Sequence, residues 1–130
     1  MAYLLDTNIV IHLRERNALV IGKFQQLTEP PLISVATQVE LEGGVYVDPD
    51  ISDRRREAVD ALLALFPVID FDAEMAAAYG AIILRVGFNR RKIIDRMIAA
   101  TALVKGLTPI TSNADDFTDI DNLGVETWTS

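Results

Sequence analysis

Short apolar runs alternate along this chain with longer segments of helical period, and that alternation restricts the fold more than any other feature. Tyr3–Leu5, Leu32–Val35, Val68–Phe71, Thr108–Thr111 and Val125–Trp128 read as five strands. Their continuous apolar character suits parallel strands covered on both faces. Between them lie amphipathic segments. Ser52 and Asp53 start one that shows Val59, Leu62, Leu63 and Phe66 on one side. Asp72 can cap the next, whose Met75, Ala78, Tyr79, Ile82, Ile83 and Val86 keep a helical period up to Gly87, a helix-stopping glycine. Ile93–Val104 is another, ending near Gly106. The pattern predicts an α/β chain, a three-layer α/β/α sandwich around a central, mostly parallel five-stranded sheet. Sheets of that kind bind ligands beyond the carboxyl ends of their strands, at a switch point.

A chain of 130 residues, half hydrophobic and 24% charged, is expected to form one domain over residues 1–130. No apolar run approaches the ~20 residues of a membrane helix. The start of the chain lacks a basic region and carries Asp6 inside its apolar stretch, so a cytoplasmic location is expected. The absence of cysteine excludes disulfides and thiolate metal sites. A net charge of −7 argues against a passive nucleic-acid-binding surface. It argues less against a nuclease, because bound divalent cations turn an acidic cluster into a phosphate-binding one.

With 19 acids in the chain, position must discriminate among them. Asp6 directly follows the first strand and can either cap a helix or ligate a metal. Glu40 has Ala36, Thr37, Gly43 and Gly44 as its helical neighbours, a face of small residues that admits a ligand or a second backbone. Asp95 shares a helical face with Ile98, Ala99 and Ala102. A carboxylate on that apolar side needs a bound cation or an interior salt bridge, and Arg96 points ~100° away. Asp115 and Asp116 both lie in the polar loop after the fourth strand. If the first and fourth strands are neighbours, acids from several elements converge on one edge, where they would repel strongly without divalent cations. Oxygen-only ligation selects Mg²⁺ or Mn²⁺, and such a site suits phosphodiester hydrolysis.

The stretches LLDTN, SVATQVELEGG, IIDRMIAATAL and ITSNADDF, in this order, resemble the PIN-domain nucleases, and most closely the VapC-type toxins of bacterial toxin–antitoxin pairs. The resemblance spans nearly the whole chain. It implies a metal-dependent endoribonuclease whose catalytic, metal-binding acids are Asp6, Glu40, Asp95 and Asp116, the last chosen over Asp115 because it directly precedes Phe117. Asn8, Thr111 and Asn113 would support the acids through hydrogen bonds or orient waters. It also implies Mg²⁺, with Mn²⁺ as a substitute, an RNA substrate, a homodimer and a VapB-type antitoxin whose C-terminal segment enters the acidic cleft. Ser112 stands where family members often carry arginine, which removes one phosphate contact rather than the metal site.

Arg90, Arg91, Lys92 and Arg96 are candidate RNA contacts beside Asp95, with a solvated helix start as the plainer account. His12, the sole histidine, is expected to have a structural or surface role and Trp128 to pack in the fifth strand; Arg54, Arg55 and Arg56 suit a surface or partner contact. Two other classes remain. A catalytically silent PIN-like interaction module would bind no metal. A receiver-like signalling domain needs paired acids after the first strand and a lysine after the fifth, and neither is present.

Overall fold

The computed structural model describes residues 2–129. Strands β1 (Tyr3–Leu5), β2 (Leu32–Ser34), β3 (Val68–Ile69), β4 (Thr108–Thr111) and β5 (Glu126–Thr127) form one sheet in the order β3-β2-β1-β4-β5. Every pairing is parallel, so the sheet is wholly rather than mostly parallel. Leu5 stands level with Ile33 on one side and Ile110 on the other.

Helices α1 (Thr7–Arg14), α2 (Ala18–Gln25), α3 (Val35–Val45), α4 (Ser52–Leu65), α5 (Ala73–Val86) and α6 (Ile93–Lys105) complete the layers. Successive strand residues face opposite ways, which divides the core in two. Leu5, Ile33 and Ile110 meet Ile9, Val10, Val20, Leu41 and Val59 beneath α1–α4. Leu4 meets Ile82, Ile98, Ala99, Ala102, Phe117 and Ile120 on the α5–α6 face. Trp128 is buried in the first of these cores, with its indole N–H donating to Glu126 Oε2 at 2.8 Å.

The expected helix signals operate. Asp72 accepts from the Met75 amide at 2.9 Å and so caps α5. Gly87 (φ 84°) and Gly106 (φ 66°) end α5 and α6 in conformations that disfavour a side chain. Several boundaries differ from expectation. Val35 opens α3 instead of closing β2, because the Ser34 hydroxyl accepts from the Ala36 amide at 3.0 Å. β3 and β5 are shorter, at two residues each. Helix α2, which the apolar pattern left undefined, starts where Asn17 Oδ1 accepts from the Val20 amide at 3.2 Å.

This topology has a switch point. From β1 the chain moves outward through β2 to β3, then returns to the other side of β1 for β4 and β5. The crevice between the carboxyl ends of β1 and β4 is where such a sheet receives a ligand.

Candidate metal centre

Asp6 follows β1 at this crevice, and its side chain serves two neighbours at once. Its Oδ1 accepts from the Thr7 amide at 2.8 Å, which makes it the cap of α1. Its Oδ2 accepts from the Thr111 hydroxyl, at the end of β4, at 2.7 Å. The residue is 2% exposed. Burial pushes its carboxyl up to about 6; the hydrogen bonds from Thr111 and Thr7 oppose the rise, and the charges of Asp116 and Glu40 add to it.

Asp95 reaches the crevice from the first turn of α6. Burial pushes its carboxyl up to about 7, with Asp6, Asp116 and Glu40 raising it further and Lys92 opposing. Asp116 comes from the short 3₁₀ turn Ala114–Asp116 in the loop after β4. One oxygen from each of Asp6, Asp95 and Asp116 lies within 4.8 Å of the other two. Oxygens sharing one Mg²⁺ are at most about 4.2 Å apart, so a donor set gathered this closely is compatible with such an ion. All-oxygen donors and mutual repulsion both favour a hard divalent cation there.

Glu40 is not brought into that group. It is exposed on α3, at the margin of the site, where its charge still bears on Asp6 and Asp95. The supporting residues lie within the crevice network. Thr111 bonds Asp6 directly, and Asn113 Nδ2 donates to Asp116 Oδ1 at 3.3 Å. Asn8 acts one step further out: its Nδ2 donates to Thr111 Oγ1 at 3.2 Å and its Oδ1 accepts from the Ser112 amide at 3.1 Å.

The basic residues divide. Arg90, Arg91 and Lys92 form a 3₁₀ turn leading into α6, with both arginines exposed and the turn capped by Asn89 Oδ1 on the Arg91 amide at 3.0 Å. Arg96 is different. It is 3% exposed, and its guanidinium donates through Nη1 to Asp119 Oδ1 at 2.6 Å and through Nη2 to Asp119 Oδ2 at 2.8 Å. Its expected role in contacting RNA is therefore corrected, since those donors are occupied and solvent does not reach them. Arg55 donates to the Gly44 carbonyl and Arg56 pairs with Glu42 and Asp60, so both tie α4 to its surroundings.

Two residues went unnoticed in the sequence. Thr7 shares a buried hydroxyl–hydroxyl bond of 3.1 Å with Thr37, which joins α1 to α3 beneath Asp6. Its place next to Asp6 was the only available signal. Asp119 had none, because its partner lies 23 residues earlier.

The chain as a whole is similar to known proteins. The family described as PIN domain matches residues 3–123. Ribonuclease VapC2 of Rickettsia felis is 28% identical over 135 residues, covering 98% of each chain. The tRNA(fMet)-specific endonuclease VapC of Shigella flexneri is 28% identical over 131 residues, again covering 98% of each. Among solved structures, VapBC2 from Rickettsia felis bound to a DNA fragment from their promoter contains a chain that matches with a TM-score of 0.87 at 26% identity. That match covers 98% of this chain and 99% of that one.

Proposed function

Because this chain belongs to the PIN-domain family, we propose that it is a metal-dependent endoribonuclease, a hydrolase of RNA phosphodiester bonds, and the toxin of a toxin–antitoxin pair. The observation that carries the reading is the convergence of Asp6, Asp95 and Asp116, from three separate elements, at the switch point of the sheet. These three carboxylates would hold Mg²⁺ or Mn²⁺, with Glu40 at the margin acting on a second ion or on waters around the first. A cation bound there supplies Lewis acidity toward the scissile phosphate and a more acidic water.

The protein's own groups do the rest. Thr7 and Thr111 each fix one oxygen of Asp6, and Asn113 steadies Asp116, so the carboxylates are oriented in advance. Arg90, Arg91 and Lys92 would draw the RNA backbone toward an otherwise acidic face. Unpaired RNA suits the site, because its backbone can be splayed into a crevice. Given the relatives' names, tRNAs, tRNA(fMet) among them, are the first substrates to try.

The partner proposed is a VapB-type antitoxin, whose arginine or lysine would stand in for metal charge among the three acids. A homodimer is proposed as well, with the exposed Val39, Tyr46, Leu84 and Phe88 as available apolar surface. The cytoplasm is the proposed location; no helix among the described residues is long and apolar enough to cross a membrane.

The test is cleavage of a structured RNA panel by antitoxin-free protein with Mn²⁺ or Mg²⁺, beside Asp6→Ala, Asp95→Ala and an EDTA control. Site-selective cuts lost in both variants and in EDTA support the reading. Equal behaviour of wild type and variants on every RNA removes it and favours a silent interaction module.

A further inference from the structure

Asp95 and Arg96 are consecutive on α6, yet they serve opposite ends of the electrostatic scale. Asp95 faces Asp116 across the crevice, whereas Arg96 grips Asp119 in a two-bond fork. Asp116 and Asp119 belong to the same loop, three residues apart. One turn of helix and one loop therefore meet twice, once in repulsion and once in attraction. We propose that the Arg96–Asp119 pair is a positioning device for the metal centre: it pins the loop that carries Asp116 against the helix turn that carries Asp95, so that three ligands stand together before a cation arrives. This inference rests on the metal-site reading above and deepens it.

Two observations support it. The fork is bidentate, so it fixes orientation as well as distance, which a single contact does not. Arg96 is nearly inaccessible to water, so the cation's side of the pair is weakly screened although Asp119 is 42% exposed. The other fastenings of this loop do not do the same work. Phe117 and Ile120 bury it in the α5–α6 core, but apolar contacts are non-directional. The Arg85–Asp121 pair ties it to α5 with both partners well exposed, at 68% and 55%, and exposed pairs contribute little.

The experiment measures Mn²⁺ affinity calorimetrically in wild type, Asp119→Asn, Arg96→Met and the apolar double variant Arg96→Met/Asp119→Leu. Arg56→Met serves as the control, since it breaks an ion pair between α3 and α4 that involves none of the three clustered acids. Hydrogen exchange of the Asp116 and Phe117 amides, which close the 3₁₀ turn, is followed in the same proteins without metal. Asp119→Asn keeps shape at a partly exposed position, so it remains informative if the Arg96 variants fold poorly.

The expected result is Mn²⁺ affinity about ten-fold weaker in the pair variants, in line with outer-sphere substitutions at metal sites. Exchange of both amides should be faster in those variants, and Arg56→Met should change neither quantity. Wild-type affinity and exchange in folded Asp119→Asn would overturn the proposal, whatever its stability. If the wild type bound no divalent cation, the metal-site reading would fail and take the affinity claim with it. Amide exchange would still decide whether the pair holds the loop.

Discussion

The meeting of α6 with the loop after β4 can be compared with itself, since its two halves use the same few residues to opposite ends. At Asp95 and Asp116, like charges are held close and the carboxyl of Asp95 is raised to about 7 by burial and by its acidic neighbours. At Arg96 and Asp119, opposite charges meet; the guanidinium holds the Asp119 carboxyl below its ordinary range and is itself raised in turn. The first half works against folding at neutral pH and the second favours it. A binding site of this kind is assembled from groups that would rather separate, and the neighbouring structure must hold them.

The largest expected effect tests the repulsive half. Asp95→Asn keeps shape while removing a charge, and should lower metal-dependent RNA cleavage by about 10²–10³-fold or more. Single-turnover cleavage of a responsive RNA is the measurement. Retained activity would mean that Asp95 is not part of the working centre.

The attractive half is tested by Asp119→Ala. Removing the carboxylate leaves the buried Arg96 cation without its partner, and such losses cost about 3–5 kcal/mol. Asp119 is 42% exposed, so water relieves part of that cost; about 2–3 kcal/mol is expected by urea denaturation. A loss no greater than that of an exposed pair would erase the contrast between the halves.

A smaller effect carries the more discriminating sign. A carboxyl whose pKa is raised by folding stabilises the fold fully below its ordinary value of 3.8, and that stabilisation disappears as pH rises through the folded value. For Asp6 and Asp95 the folded values are about 6 and about 7. Metal-free protein should therefore lose stability between about pH 4 and pH 7 through these two groups, and a bound cation should restore more of it above that window than below. Asp95→Asn should then be more stable than wild type in EDTA by about 1–2 kcal/mol near pH 8, with the difference gone by about pH 4. The same substitution thus ends activity and strengthens the fold. Destabilisation near pH 8 would show that the acids are not in conflict.

What could be foreseen from the sequence was whatever is encoded locally. Gly87 and Gly106 mark helix ends because positive φ needs glycine, and Asp95 draws notice because a carboxylate on the Ile98–Ala99–Ala102 face violates the helical pattern. Asp6 at the end of an apolar strand was legible both as a cap and as a ligand, and its two oxygens reach Thr7 and Thr111. The Asp116–Phe117 pairing needed family resemblance, since Asp115 is chemically identical. Non-local matters were hidden. Arg96 could be seen to point away from Asp95, but nothing within a helical turn names Asp119 as its partner. Glu40, with its small neighbours Gly43 and Gly44, could be read from the local residues as solvated or as facing a ligand, and α3 leaves it exposed. Helix α2 depends on the Asn17 cap rather than on a strong apolar stripe, with only Val20 of its residues buried.

The smallest effect sharpens the comparison by supplying a second ionic cluster of a different kind. Arg56 on α4 pairs with Asp60, four residues on, and with Glu42 on α3. Geometrically it rivals the Arg96–Asp119 fork, since Nη2 alone reaches Asp60 at 2.6 Å and Glu42 at 3.1 Å. It differs in the burial of the cation: the Arg56 side chain is 29% exposed against 4% for Arg96, so water and salt compete more for its bonds. Arg56→Gln should shift Tm by no more than about 2 °C, and the shift should shrink further as salt is added. Asp119→Ala should keep most of its larger shift at the same salt concentration, because burial shields Arg96 from mobile ions. Equal effects at the two arginines, with equal salt sensitivity, would mean that burial does not separate them and that the fork beside the three acids is ordinary surface pairing.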